Sequence, residues 1–160
     1  MSIGLDASTL LASVKRGGEK YHDDCLKLAR VLSEQGARGV SSSLVHIELP
    51  GALSSSTSMP IEKIYQTVAS LMASFAVDTP PFEGQIDRAT EMMLELRDVK
   101  RKANIGSADF HYLATAFNQG CRLFVTTDER YLLREDFRKG VSRYLEVLNP
   151  AQAVTRLKTT

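Results

Sequence analysis

The chain has 160 residues, of which 43% are hydrophobic and 24% charged, and its formal net charge is +1. We expect one domain over residues 1–160, and the near-neutral charge excludes a uniformly basic nucleic-acid binder. No apolar run approaches the ~20 residues of a membrane span, and the amino end lacks the basic and apolar regions of a signal peptide. Because Cys25 and Cys121 form no CxxC pair, we expect reduced core cysteines in a cytoplasmic protein.

The first part of the chain alternates short apolar runs with helical periodicity. Ile3–Leu5 is the first predicted strand, and Arg38–Ser41 is a weaker candidate for the second. Between them, apolar residues recur at helical spacing from Glu19 onward, and this predicts an amphipathic helix that ends near Gly36.

Three helices are predicted in the middle of the chain. Serines 41–43 are N-cap candidates for the first, which Pro50 should kink or end because proline removes a backbone hydrogen bond. The second begins near Pro60, which suits a first helical turn, and the strand candidate Phe75–Val77 follows it. The third has an apolar stripe over Ile86–Val99 and ends in a basic run.

The last third of the chain carries the clearest strand, Arg122–Val125. A helix is predicted before it, between Ser107 and Gly120, and a last strand, Arg143–Leu148, is predicted after it. Helices separate nearly every pair of predicted strands. This order indicates the α/β class, with a parallel sheet that has helices on both faces.

Four carboxylates occupy comparable positions in these elements. Asp6 and Asp128 each follow a predicted buried strand, whereas Glu48 and Asp109 each lie near the start of a predicted helix. The carboxyl ends of strands in an open α/β sheet line one edge, where ligands bind. Each pair of like charges at ~4 Å costs roughly 4 kcal/mol at an effective dielectric of ~20, so the cluster needs a cation. Oxygen ligands select Mg²⁺ or Mn²⁺, which indicates metal-assisted cleavage of a phosphodiester.

Each acid also has an ordinary structural interpretation. Asp6 and Asp128 could cap the segments that follow them, and Glu48 could face solvent. Asp109 could complement the dipole of its helix, which is worth ~0.3–1 kcal/mol. The order, spacing and local contexts of the four together favour a shared site. Tyr112, one turn after Asp109, could line the cleft, although a packed core tyrosine is the simpler expectation.

Four sequence segments are similar to those of a known family: IGLDAST, SSSLVHIELPGAL, IGSADFHYLATAFNQGCRLFVTTDERY and YLEVLNPAQA. The third is the most specific, because an alanine-rich helix with an early Asp is followed by a Gly and then by an apolar strand that ends in a Thr and an Asp. Together these segments span nearly the whole chain. They resemble the PIN-domain family of metal-dependent ribonucleases, and most of all the small toxins of VapBC-type toxin–antitoxin pairs.

This resemblance implies a single PIN-like domain, a three-layer α/β/α fold whose parallel sheet has the order 3-2-1-4-5. It implies hydrolysis of RNA with one or two Mg²⁺ or Mn²⁺ ions, a homodimer and a possible antitoxin partner. The family's catalytic and metal-binding acids fall on Asp6, Glu48, Asp109 and Asp128, and its supporting hydroxyls fall on Ser8 and Thr126.

Two features differ from a minimal toxin, and two alternatives stay open. Pro50 follows Glu48 closely, in a stretch that the family usually keeps helical, and the segment 54–102 is longer than a toxin requires. A PIN fold that binds RNA or protein without cleaving is one alternative. The other is a von Willebrand-type metal-dependent adhesion module, whose metal motif the DAST sequence at residues 6–9 would also fit.

A basic run precedes the third acid and consists of Lys100, Arg101 and Lys102. These side chains could contact RNA phosphates beside the cleft. They could equally complement the dipole at the carboxyl end of their own helix.

Overall fold

The computed structural model describes residues 1–15 and 17–159. Helices separate its strands as the sequence predicts, and helices at Ala7–Ala12, Glu135–Val141 and Pro150–Lys158 are present that the sequence did not predict. A 3-10 turn at Glu83–Gln85 precedes the fifth helix. The elements are β1 Ser2–Leu5, α1 Ala7–Ala12, α2 His22–Glu34, β2 Arg38–Val40, α3 Val45–Ser56, α4 Ile61–Ser74, α5 Ile86–Glu95, α6 Arg97–Ala103, α7 Ser107–Asn118, β3 Leu123–Val125, α8 Glu135–Val141, β4 Glu146–Leu148 and α9 Pro150–Lys158.

The strands form one parallel sheet in the order β2-β1-β3-β4, which confirms the α/β class. Gly4 of β1 pairs with Val40 on one side and with Phe124 on the other. Helices α2 and α9 pack together, as do α5 and α7, which gives the three-layer arrangement. Strand β2 lies on one side of β1, whereas β3 and β4 lie on the other side. The carboxyl ends of β1 and β3 therefore flank a topological switch point, where ligands bind in such sheets.

Close packing at Gly4 fixes the position of α7 on the sheet. A Cβ atom on Gly4 would lie 2.5 Å from the Cβ atom of Ala116 in α7 and 2.7 Å from Cδ2 of Phe124. A side chain at this position would therefore push the helix away from β1. Because α7 carries Asp109 in its first turn, this contact also sets how near that acid comes to the end of β1.

The predicted strand Phe75–Val77 is wrong, and this segment ends helix α4 instead. Val77 N–H donates to Met72 O at 2.9 Å, and Ala76 has a left-handed φ of 45°. The turn leaves only Asp78 to pair with Val40, as an isolated parallel bridge beside β2. The sheet therefore has four strands where the order 3-2-1-4-5 implied five, and a single bridge takes the place of the outermost strand.

Other boundaries also differ from the sequence prediction. Helix α3 continues through Pro50 to Ser56, so the proline does not end it. The predicted helix 86–99 is divided at Leu96, where ψ is 19°, and this lets α5 pack on α7 while α6 packs on α8. The last strand is only Glu146–Leu148, because Leu145 N–H still donates to Val141 O at the end of α8.

Both cysteines are free and buried, as expected for reduced core residues. Burial raises the pKa of Cys25 to about 12 and that of Cys121 to about 11, so both thiols are protonated at neutral pH. None of the helices in the described part of the chain combines the length and apolar character needed to span a membrane.

Candidate active site

Asp6, directly after β1, is held by hydroxyl groups from two different elements. Ser8 in α1 and Thr126 after β3 each donate a hydrogen bond of 2.7 Å to Oδ2 of Asp6. The Asp6 side chain is buried, and Asp6 N–H donates to Val125 O, which joins the ends of β1 and β3. Burial raises the pKa of Asp6, the two hydroxyl bonds oppose this, and the charges of nearby acids raise it further. This carboxylate is therefore fixed in orientation and costly to ionise.

Asp128 is linked to Asp6 through the same threonine. Its backbone N–H donates to Thr126 Oγ1 at 3.1 Å, while its Oδ1 atom accepts from Tyr131 N–H at 3.1 Å. Asp128 thus does cap the turn that follows it, which is the ordinary structural interpretation. Its charge also raises the pKa of Asp6, so capping the turn does not remove it from the cluster.

Asp109 is electrostatically coupled to all three of the other acids. Burial is the largest cause that raises its pKa to about 6, and the charge of Asp6 is the next. Its Oδ2 atom accepts from Gly106 N–H at 3.0 Å, which lowers the pKa, and the charges of Asp128 and Glu48 raise it. A carboxylate that responds to three others lies in one electrostatic environment with them, at the switch point of the sheet.

Glu48 reaches the cluster from α3 and is held by a buried tyrosine. Tyr112 in α7 is 2% exposed, and its hydroxyl donates to Oε2 of Glu48 at 2.6 Å. Burial raises the pKa of Tyr112 most, followed by this bond and by the charges of Glu48, Asp6 and Asp109. Helix α3 continues through Pro50, and Glu48, in its first turn, is exposed to solvent as well as bonded to Tyr112. In the sequence, the only indication that Tyr112 would contact an acid of the site is that it lies one helical turn after Asp109.

The donor chemistry fits a hard divalent cation, because the cluster offers only carboxylate and hydroxyl oxygens. However, no three His, Cys, Asp or Glu side chains in the described ranges 1–15 and 17–159 converge to bind one ion. Glu48 accepts from the hydroxyl of Tyr112, Asp109 from Gly106 N–H and Asp128 from Tyr131 N–H. Each carboxylate keeps a second oxygen that these bonds do not use.

The basic run lies in the last turn of α6. Arg101 forms an exposed ion pair with Asp98 at 3.3 Å. Lys102 lies near the start of α8, where the pKa of Asp136 is lowered mainly by its bond with Arg134 and slightly by the charge of Lys102. These two cations are thus placed with acids outside the cluster.

Comparison with known proteins gives a family and several solved structures of similar fold. A PIN-domain family model matches residues 3–136. The VapBC2 crystal structure from Rickettsia felis, bound to a promoter DNA fragment, is similar with a TM-score of 0.57 at 18% identity, over 93% of this chain and 98% of that chain. The crystal structure of PAE2754 from Pyrobaculum aerophilum is similar with a TM-score of 0.54 at 16% identity, over 100% of both chains. The curated proteins give no significant match. On the family match and the observed sheet, the chain belongs to the PIN-domain family rather than to the von Willebrand-type modules.

Proposed function

We propose that this PIN domain is a metal-dependent ribonuclease that hydrolyses phosphodiester bonds of RNA. The observation that supports this most is the position of Asp6: Ser8 and Thr126 hold its carboxylate where β1 and β3 end, and burial with the charges of Glu48 and Asp128 raises its pKa. Strongly perturbed pKa values at a topological switch point are typical of catalytic sites rather than of structural acids. The proposed catalytic and metal-binding residues are Asp6, Glu48, Asp109 and Asp128.

The side chains around the acids have separate tasks in this proposal. Ser8 and Thr126 keep the Asp6 carboxylate in one rotamer, and Tyr112 draws Glu48 toward the cluster. Gly106 N–H holds the carboxylate of Asp109 at the start of α7, within the field of the other three acids. A bound Mg²⁺ or Mn²⁺ ion would supply water activation and charge neutralisation at the leaving oxygen.

An RNA cleavage assay with added Mg²⁺ or Mn²⁺ tests the proposal directly. Asp6→Asn should lose most of the activity of the wild type while it keeps the fold, because the amide retains the shape of the carboxylate without its charge. Asp87→Asn is the matched control, since Asp87 is an exposed acid in the first turn of α5. Full activity of Asp6→Asn, or cleavage that EDTA does not reduce, would contradict the assignment.

One observation favours the alternative of a PIN fold that binds RNA without cleaving it. The acids are engaged by Tyr112, Gly106 and Tyr131 and do not converge on one point within the described residues. The same assay separates the two functions, because a binding module would retain RNA binding with no metal-dependent product.

We further propose that the chain is the toxin of a toxin–antitoxin pair, acts in the cytoplasm and forms a homodimer. The family match and the likeness to VapBC2 from Rickettsia felis support the toxin proposal. A small protein encoded directly upstream that co-purifies with the chain and inhibits cleavage would establish the pair. Light scattering at micromolar concentration should give the mass of two 17.7 kDa chains, and a monomer mass would contradict the dimer.

The basic run is proposed to contact RNA phosphates at the end of α6. The triple replacement of Lys100, Arg101 and Lys102 by Ala should then weaken RNA binding and make its salt dependence shallower, because fewer counterions are released. An unchanged salt slope would mean that these side chains only complement the helix dipole.

A further inference from the structure

A cavity of about 310 Å³ opens near the starts of the two helices that carry Glu48 and Asp109. The start of α3, helix α5 and the first turns of α7 enclose it, and its wall has no charged side chain. Its size is at the lower end of small-molecule sites, which measure ~300–1,000 Å³. We infer that this cavity binds one nucleobase of the RNA substrate, next to the phosphate that is cleaved. This inference rests on the proposed ribonuclease function.

The two helices that carry Glu48 and Asp109 also line the cavity. Ala108 is in the wall, and the next residue along α7 is Asp109. Leu44 is also in the wall, and its carbonyl accepts the N–H of Glu48 one turn later, at 3.0 Å. A nucleotide whose phosphate lies at the acids could therefore place its own base, or that of its neighbour, in this cavity.

The cavity contains a flat aromatic stack of the kind that holds bases. The rings of Phe82 and His111 are 4.1 Å apart between centroids and only 13° from parallel, and Phe82 is 39% exposed. Unpaired RNA bases are recognised by stacking on Phe, Tyr, Trp or His side chains, which extends such a stack by one layer. An uncharged wall would not attract a phosphate, but it suits the uncharged, planar part of a nucleotide.

Hydrogen bonds hold this stack rigid before any ligand binds. Nε2 of His111 lies 3.0 Å from Phe82 O and Nδ1 lies 2.8 Å from Ser42 Oγ. Since a carbonyl oxygen only accepts, Nε2 is the donor in the first of these bonds. Ser42 Oγ also accepts from Leu44 N–H at the start of α3. The ring of His111 is therefore fixed from both sides, and so is the backbone of Phe82, which lowers the entropic cost of stacking a base.

Substitutions of Phe82 test the base site without disturbing its supports. Phe82→Leu keeps an apolar side chain and the carbonyl that binds His111, but it removes the ring. In an Asp6→Asn background, where RNA is not cleaved, it should raise the Kd for a single-stranded RNA of about 12 nucleotides by about 5- to 150-fold, the range for one base–aromatic stack. Phe82→Tyr keeps the ring and should stay within about twofold. Tyr65→Leu removes an aromatic ring that is 69% exposed on α4, outside the cavity, and is the matched control.

An abasic RNA of the same length separates base stacking from general binding. The abasic RNA should bind the Asp6→Asn protein more weakly than intact RNA does. Adding Phe82→Leu should not raise the Kd for the abasic RNA further, because the missing base and the missing ring belong to the same stacking contact. Fluorescence anisotropy gives all these constants. Equal Kd values for Phe82→Leu and its parent with intact RNA would overturn the base site and leave the cavity to a partner protein.

The ribonuclease proposal can fail separately from the base site. Metal-dependent cleavage by the wild type, combined with a Phe82→Leu variant that binds RNA normally, overturns only the base site. Phe82-dependent RNA binding without any cleavage supports the base site and overturns only the ribonuclease.

Discussion

At the residue scale, the candidate site is an acid cluster supported by neutral hydroxyl groups. Ser8 and Thr126 both donate to Asp6 Oδ2, and their oxygens are 3.3 Å apart. Charged supporting groups would have neutralised the acids, whereas hydroxyls orient them and leave their charge for a cation. The carboxylates therefore repel one another when no metal is bound.

Tyr112→Phe should weaken metal binding with little effect on the fold. The change removes the hydroxyl that holds Glu48, and a lost hydrogen bond of this kind costs about 0.5–1.5 kcal/mol of stability. Loss of a group that orients a metal ligand typically lowers metal affinity by about 10- to 100-fold. Cleavage rates measured against Mn²⁺ concentration should show a higher half-saturating value. Tyr65→Phe, an exposed tyrosine on α4, should leave this value unchanged.

The opposite shift would contradict this role of Tyr112. If Tyr112→Phe lowers the Mn²⁺ concentration needed for half of the maximal rate, then the hydroxyl competes with the metal for Glu48 instead of positioning it.

The sequence placed Asp6 and Asp128 after strands and Asp109 in a first helical turn, because those positions depend on local patterns. The family resemblance implied Ser8 and Thr126 as supporting hydroxyls, but no pattern in the sequence predicted Gly106 as the partner of Asp109. Glu48 and Tyr112 are 64 residues apart, and their bond exists only because α3 and α7 meet beside the sheet. Its single sequence signal, the one-turn spacing from Asp109, is equally compatible with a core tyrosine.

At the scale of elements, a failed strand prediction reveals a helix cap. Apolar character over Phe75–Val77 suits both a short strand and the buried end of a helix, and periodicity cannot separate them in so few residues. Hydrogen bonds decide the matter, since Val77 N–H reaches Met72 O and Ala76 N–H reaches Ala73 O. This is a Schellman motif with Ala76 at the left-handed position, where glycine is usual.

Ala76→Gly should therefore stabilise the protein. The left-handed φ of 45° destabilises the folded protein by roughly 1–2 kcal/mol when the residue is alanine. Glycine removes this cost, but its greater conformational freedom stabilises the unfolded chain by about 0.4–1 kcal/mol. The expected net gain in the free energy of unfolding is about 0.5–1 kcal/mol, measured by urea denaturation. Ala73→Gly is the control, since it changes another exposed alanine within α4 and should destabilise by about 1 kcal/mol. A loss of stability in both variants would contradict the assigned cap.

At the scale of the whole molecule, the topology creates a charge cluster that opposes folding when no cation is bound. The folded pKa of Asp109, about 6, lies above its ordinary value of 3.8. The folded state therefore binds this proton more tightly than the unfolded chain does. The resulting destabilisation is fully present above pH ~6 and fades as the pH falls from about 6 to about 4.

Asp109→Asn should accordingly stabilise the metal-free protein at pH 8 by about 1–2 kcal/mol. The amide oxygen can still accept from Gly106 N–H, so the first turn of α7 keeps its hydrogen bond. The gain should disappear at pH 4, where the wild-type carboxyl is itself largely neutral. Urea denaturation in EDTA at the two pH values measures this. Asp87→Asn, an exposed acid in the first turn of α5, should show no gain at either pH.

Divalent metal should reverse the order of stability between these two proteins. A ligand that binds only the folded state at 100 times its Kd adds about 2.7 kcal/mol, and for a chain of this size each kcal/mol moves Tm by about 2–4 °C. Mn²⁺ should therefore raise the Tm of the wild type by several degrees and that of Asp109→Asn much less. Thermal melts at pH 8 should place the variant above the wild type in EDTA and below it in excess Mn²⁺, since the same carboxylates that repel one another become the ligands. If Mn²⁺ shifts neither protein and the variant melts lower in EDTA, then the four acids do not share a metal site.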